Sequence, residues 1–330
     1  MTMSYNTGAA PHLRRNDRAS LLCLDVLITL LPLTVFSCVY FGIRPVIVLL
    51  VSIGSAIGFE LLACLLMHRR PPIGDGTAAV TGGLIGALMS PIAPLWLPVI
   101  ATGFAVLVVK MPFGGNGRNL FNPAAGGLAF VTVCFPHLLF LYPDPGRPLD
   151  DLATVITAKS PAALLRSGGE SLNTLPNMLL GNFPGPIGAV AIAILIACAL
   201  YLFSRRSASP LITLSYVAVC AAGAILFPRA GNTWLSSLML ELCSGYLLFT
   251  GIFLLNDPVT APRHWLARIL YGALAGALVM CLRHVGQYEE GCCFAVLLIN
   301  LFATVLDRGC WQLTHRLRQW WQYRKGGVRT

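Results

Sequence analysis

The sequence predicts an all-α integral membrane protein of about ten transmembrane helices, forming two inverted five-helix repeats with broken or re-entrant segments and cytoplasmic N and C termini. Three observations carry that prediction. Charged side chains make up 11% of the 330 residues and apolar ones 56%, whereas a soluble domain carries about 25% charged. Runs of mostly apolar residues recur along the chain, and about 20 such residues cross a hydrocarbon core. Basic residues alternate in density between successive loops, as expected when cytoplasmic loops hold the excess of Lys and Arg.

The leader 1–19 carries Arg14, Arg15 and Arg18, and no small-residue cleavage motif follows its first apolar run, so it reads as cytoplasmic. Membrane segments then follow at about Ser20–Tyr40, Pro45–Met67, Gly76–Ser90, Pro94–Val109 and Pro123–Leu141. After a long loop come Pro184–Phe203, Pro210–Phe227, Trp234–Leu255, Trp265–Leu282 and Gly291–Leu306. On this division only Arg44, Arg147, Lys159, Arg166, Arg229 and Arg283 lie outside, and the other basic residues are cytoplasmic. The expected units are the leader 1–19, a first repeat 20–141, an extracytoplasmic loop 142–183, a second repeat 184–307 and a basic tail 308–330.

A net charge of +10 does not mark a nucleic-acid binder here, because the basic residues are scattered in pairs between apolar runs and a bilayer surface explains them. The 11 cysteines sit mostly in apolar runs with no CxxC pair, which argues against a disulfide framework or a zinc site. Adjacent Cys292 and Cys293 point about 100° apart on a helix and cannot close a metal site by themselves.

Polar residues inside this apolar chain are the functional candidates. The stretch Met111–Gly127 is too polar to span; Gly114 and Gly115 permit positive φ, and Asn116, Asn119 and Asn122 offer amides to a ligand or to freed backbone groups. A plain cytoplasmic turn is the alternative. The third segment opens with Asp75, Thr77 and Thr81, and the eighth ends with Thr250, Asp257 and Thr260. Short, Gly- or Pro-interrupted segments at matching places of inverted halves point to a central site. Glu60 and Asn300 lie within apolar runs, where ionisable and polar groups are costly and mark pathways or buried partners. Asp25 lies closer to an end and can reach the interface.

Several of these pieces together resemble the membrane family that contains the RnfD subunit of Rnf electron-transport complexes and the NqrB subunit of sodium-pumping NADH:quinone oxidoreductase. FGGNGRNLFNPAA (Phe113 to Ala125) is similar to that family's FGG-x-G-x-N-x-FNPA stretch. DGTAAVTGGLIGALMSP from Asp75, LNDPVTAP from Leu255 and GCCFAVLLINLFATVLDR from Gly291 support it, and the short leader resembles the RnfD branch more than the NqrB one.

The resemblance implies two inverted five-helix halves in a bacterial inner membrane, with electron transfer coupled to movement of Na⁺ or H⁺ past Glu60, Asp257, Thr260 and Asn300. Partner subunits would hold iron–sulfur and flavin centres and the ferredoxin or nicotinamide chemistry, since no dinucleotide fingerprint occurs here. It implies FMN as well, joined through its phosphate by a flavin transferase to a threonine in an S-G-A-T-P-like motif of the outer loop. The matching residues are Thr157, Ala158, Lys159, Ser160 and Pro161, so Ser160 takes the acceptor's place and Lys159 would favour a phosphate. The motif's glycine and alanine are replaced by Ala158 and Lys159, and Thr154 stands where the family has an acidic residue. On its own chemistry, Ser160 followed by Pro161 equally reads as the cap of a short helix. Two further readings remain open: a channel or secondary transporter of the same plan without redox chemistry, and a flavin-free scaffold subunit.

Overall fold

Residues 10–68, 75–115, 117–145, 156–167, 175–229 and 234–326 are described by a computed structural model. The chain is almost entirely helical. Helices α1 (Ala10–Phe41) and α2 (Arg44–Leu66) are long and turn through Gly42, whose φ is +64°. A half-length helix α3 (Thr77–Ala87) follows, then α4 (Trp96–Phe104), which widens into a π turn, π1 (Ala105–Lys110). Next come α5 (Pro123–Cys134) and the short α6 (Pro136–Leu139). Prolines open α5 and α6 because the missing amide hydrogen is an orphan at a helix start anyway.

Strand β1 (Tyr142–Pro143) pairs antiparallel with β2 (Thr157–Ala158), Tyr142 opposite Ala158, and brings the two ends of the intervening loop together. Two short helices, α7 (Pro161–Ser167) and α8 (Leu175–Leu180), lead to α9 (Ile192–Ser204) and α10 (Pro210–Leu226). Helix α11 (Trp234–Cys243) meets α12 (Leu247–Phe249), which runs on as a second π turn, π2 (Thr250–Leu254), with a 59° bend at the junction. The chain ends in α13 (Trp265–Val285) and α14 (Cys292–Gly326).

Among the described residues four helices are long and apolar enough to cross a membrane, a bent pair is either a broken span or a re-entrant loop, and five shorter apolar helices accompany them. Leu31, Val39, Leu65, Leu214, Leu226 and Val305 are all exposed. Such a surface is covered by lipid rather than by water.

The helices overlap the expected apolar segments but not their bounds: α1 already begins at Ala10, within the expected leader, α5 and α6 divide the fifth segment at Phe135, and α7 and α8 lie in the expected loop 142–183. The sixth segment, expected from Pro184, becomes helical only at Ile192, and residues 184–191 are buried without helix. Pro184 and Pro186 lack the amide hydrogens a helix interior needs. Ile187 N and Gly188 N donate instead to the carbonyls of Met89 (3.1 Å) and Ala87 (2.5 Å) at the end of α3. The eighth segment is interrupted at Ser244–Tyr246. The tail from 308 continues α14 without a break up to Gly326.

Capping across the molecule holds the interrupted helices. A helix end leaves carbonyls without intrahelical partners, and deep in a bilayer only protein can supply them. Tyr246 Oη, at the break before α12, donates to Leu88 O at the end of α3 (2.9 Å). Reciprocally, Asn122 Nδ2, at the start of α5, donates to Leu254 O at the end of π2 (2.9 Å), while its Oδ1 accepts from Ala125 N as the N-cap of α5. Close approach does the rest: Ser52 Oγ donates to Gly82 O (2.6 Å), and a Cβ at Gly82 would stand 2.5 Å from Ser52 O, so α2 and α3 touch backbone to backbone.

Candidate functional site

A cavity of about 570 Å³ opens where the interrupted helices meet, within the range of cofactor sites. Thr77 and Thr81 from α3, Lys110 from π1, Asn119 and Asn122 ahead of α5, and Asp257 after π2 supply its polar lining. Cys23, Val26, Val80, Leu84 and Phe253 supply an apolar wall, and Arg263 stands at the side. Thr77, Thr81, Asn119, Asn122 and Asp257, which the sequence suggested separately, are therefore brought to one place.

Each polar group has a local reason for its position. Asp75 Oδ1 accepts from Thr77 N (3.1 Å) and Thr77 Oγ1 (3.0 Å), a turn that fixes the first residue of α3. Thr81 Oγ1 donates one turn back to Thr77 O (3.0 Å). Asp257 accepts from Val259 N (3.3 Å) and from Thr260 Oγ1 (3.1 Å), folding the LNDPVT turn upon itself. Asn119 Oδ1 is enclosed without a hydrogen-bond partner, an acceptor left for a ligand or water.

Gly114 and Gly115 do another task. Their φ values of +108° and +84° reverse the chain after π1, where Gly114 N donates to Met111 O (3.0 Å) and Gly115 N to Lys110 O (3.3 Å). They shape the wall without lining the cavity. Asn116 lies outside the described residues. Asn300 does not line the cavity; its Oδ1 accepts from Tyr271 Oη (2.7 Å), tying α14 to α13, and its buried Nδ2 has no partner.

Glu60 is buried on α2, and its partner is Lys110, whose Nζ lies 2.5 Å from Glu60 Oε1 and 2.9 Å from Thr77 Oγ1. Sequence reasoning placed Lys110 in a cytoplasmic loop, yet it is 1% exposed. The available signal was the unbroken apolar run before it, together with an intramembrane carboxylate needing a counter-charge. Asp25 is buried too, accepting from Arg205 Nε (3.2 Å), Tyr201 Oη (3.3 Å) and Ser207 Oγ, which joins α1 to α9 and the turn beyond it.

On the other side of the molecule, Ser160 does cap a helix: its Oγ accepts from Ala163 N (3.1 Å) at the start of α7. The same hydroxyl donates to Glu289 Oε1 and is buried, whereas Thr157 and Lys159 are exposed. Burial pushes the Glu289 carboxyl up to about 8, the Ser160 bond and Arg166 pulling against that rise and Glu290 adding to it. A hydroxyl enclosed between a helix start and a carboxyl group does not fit a phosphate in this arrangement, because no room is left around its oxygen. The central cavity differs from it in having an apolar wall, a volume within the range of cofactor sites and an enclosed acceptor without a partner, Asn119 Oδ1.

Beside Glu289 lies a buried ionic cluster that sequence reasoning missed. Arg283 donates to Glu241 O (2.8 Å) and Oε2 (3.1 Å), to Ser244 O (2.9 Å), and to Glu290 Oε1 (2.8 Å) and Oε2 (3.0 Å). Arg229 approaches Glu241 Oε1 at 2.5 Å. Arg283 thus caps the carbonyl end of α11 at the break. No group of three or more His, Cys, Asp or Glu suited to a metal occurs among the described residues.

Interrupted apolar helices around a polar cavity define a multi-pass membrane protein with a central site. The chain belongs to the NQR2, RnfD, RnfE family, whose model matches residues 6–314. It is similar to the D subunit of the ion-translocating oxidoreductase complex of Cronobacter sakazakii, 30% identical over 92% of this chain and 97% of that one. The protein of the same name from Shewanella amazonensis is 29% identical over 92% and 96%. The D subunit of the Na(+)-translocating ferredoxin:NAD(+) oxidoreductase complex of Acetobacterium woodii is 26% identical over 93% of each chain.

Proposed function

We propose that this chain is the membrane-embedded D subunit of an Rnf-type ion-translocating oxidoreductase complex of the bacterial inner membrane, and that it passes electrons through an FMN held without a covalent bond in the central cavity. The observation that carries the proposal is the cavity itself, which gathers Thr77, Thr81, Asn119, Asn122 and Asp257 between interrupted helices. A bound flavin supplies one- and two-electron redox chemistry. Asn119, Thr77 and Thr81 would hold its polar edge, the wall around Val80 and Phe253 its ring, and Arg263 its phosphate, while Asn122 holds the ends of α5 and π2 that frame the site. Asp75, Gly114 and Gly115 act behind them by fixing the start of α3 and the turn after π1.

Partner subunits with iron–sulfur or flavin centres would deliver and remove electrons. Glu60, Asp257, Thr260 and Asn300 are the groups proposed to bias Na⁺ or H⁺ passage. Two inverted halves, 20–141 and 184–307, with the loop 142–183 outside and the leader 1–19 and tail 308–330 in the cytoplasm, are part of this reading, and the reciprocal caps of Tyr246 and Asn122 support it.

A flavin-free scaffold subunit is a second reading, favoured by the commitment of the Ser160 hydroxyl to Ala163 and Glu289. One preparation separates the readings. The chain is co-expressed with its complex and a flavin transferase, purified, denatured, and analysed for released flavin and for intact mass. Released FMN with an unmodified mass is expected. An FMN adduct on Ser160 moves the flavin to the outer loop, and absence of any flavin from the assembled complex leaves the scaffold reading.

A further inference from the structure

The start of α13 is strapped to α14 away from the central site. Both carboxylate oxygens of Asp307, on α14, accept from Arg263 N (3.0 Å each), and Oδ1 accepts from His264 N (2.7 Å) as well. Beside this strap lies a groove of about 590 Å³, lined by Arg263, His264, Asp307, Arg308, Trp311 and Gln312. Its charge is one-sided. The Asp307 carboxylate is engaged by backbone amides, whereas the exposed Arg308 guanidinium makes no hydrogen bond or ion pair among the described residues. Helix length sets the groove at a membrane boundary. A rise of about 1.5 Å per residue makes the 21 residues of α13 roughly 30 Å long, the thickness of a hydrocarbon core, and sets Arg308 about 24 Å along α14 from Cys292. Trp311 in the groove and Trp265 next to it are both exposed, as aromatic side chains are at headgroup level. Leu270 and Leu274 of α13 and Phe302 and Val305 of α14, further into the membrane, are exposed too.

We infer that this groove holds the headgroup of an anionic phospholipid across the ends of α13 and α14. Arg308 donates to the lipid phosphate, and Arg263, which also borders the central cavity, adds its positive charge from the other side of the groove. Gln312 offers an amide to the rest of the headgroup. Basic pockets between membrane helices suit such headgroups. Charge complementarity selects the anionic class, since a choline ammonium brought between two guanidinium groups is repelled, while a glycerol headgroup is not. The apolar surroundings select a lipid over an acidic protein segment: acyl chains can cover the exposed Leu270, Leu274, Phe302 and Val305, which an acidic segment leaves bare.

The inference depends on neither the flavin nor the ion path. The test uses the full chain in detergent, loaded separately with equal concentrations of dioleoyl phosphatidylglycerol or dioleoyl phosphatidylcholine and read by native mass spectrometry. Phosphatidylglycerol adducts should survive detergent removal several-fold better than phosphatidylcholine adducts, and excess inorganic phosphate should not displace them. Arg308→Gln should lower phosphatidylglycerol retention several-fold and leave phosphatidylcholine unchanged. Gln312→Glu should do the same by placing a negative charge in the groove; both positions are exposed, and either variant carries the test if the other does not fold. Arg316→Gln, an exposed arginine of α14 outside the groove lining, should change nothing. Equal retention of the two lipids by the parent chain overturns the inference and leaves the groove to an acidic segment of a partner protein. Displacement by inorganic phosphate overturns it as well, as does full retention in a folded Arg308→Gln or Gln312→Glu chain. An equally large loss in Arg316→Gln also refutes it, because the attraction would then belong to diffuse surface charge.

Discussion

Arg283→Met tests the buried ionic cluster at the break before α12. Arg283 is 3% exposed, and its guanidinium spreads its bonds over Glu241, Ser244 O and Glu290. Methionine keeps much of the stem's volume, so packing loss is small and the change isolates the charge. Arg229 still neutralises Glu241 at 2.5 Å, but Glu290 is left buried with only Cys292 Sγ (3.4 Å) beside it. The carbonyls of Glu241 and Ser244 also lose their cap. Breaking one buried pair costs about 3–5 kcal/mol. At about 2–4 °C per kcal/mol for a large domain, the melting temperature should fall on the order of 10 °C. Buried Cys220, Cys292 and Cys293 make a thiol-reactive fluorophore a direct reporter of unfolding in detergent. Adding Glu290→Gln should recover part of the loss by removing the stranded carboxylate. If Arg283→Met melts within about 2 °C of the parent, the cluster does not hold the break, and the reasoning fails.

Gly245→Ala should damage the same break from the other side, since Gly245 has φ +62° and a Cβ there would stand 1.6 Å from Glu290 Oε1; about 2–4 kcal/mol is expected from strain and a displaced carboxylate, read by the same melting assay. Asn122→Ala removes the cap of α5 and the bond to Leu254 O together, which should cost about 2–3 kcal/mol and lower flavin retention, whereas Asn122→Asp keeps the cap and loses only the bond across to π2. Glu289 carries its proton up to about pH 8 in the folded chain against 4.5 ordinarily, so folding binds the proton more tightly and the attachment of α7 should weaken as pH rises from 4.5 to 8, then level off. Hydrogen exchange of residues 160–167 should follow that slope, and Glu289→Gln should abolish it.

The sequence made the membrane class legible because composition and apolar run length depend on no tertiary contact. It also marked Thr77, Asn119, Asn122 and Asp257, since glycines, prolines and amides interrupting apolar runs are local signals. Breaks inside an apolar run were harder to see. The run from Trp234 to Leu255 reads as one span, and its interruption at Ser244–Tyr246 exists because Arg283, distant in sequence, supplies donors to the carbonyls that the break frees. Ser160 shows the opposite case: the cap at Pro161 was readable from neighbouring residues, while the bond to Glu289 joins positions 129 residues apart.

What the sequence determined by itself is therefore what one segment's chemistry dictates: the lipid-facing apolar runs and the polar interruptions. Tertiary structure alone decided which charges meet. Lys110 reads as a loop cation until α2, α3 and π1 converge, and only then does its ammonium become the counter-charge of Glu60. The physical reason is that a buried charge is tolerated only by its partner, and partners are brought together by helix packing, which no local pattern encodes.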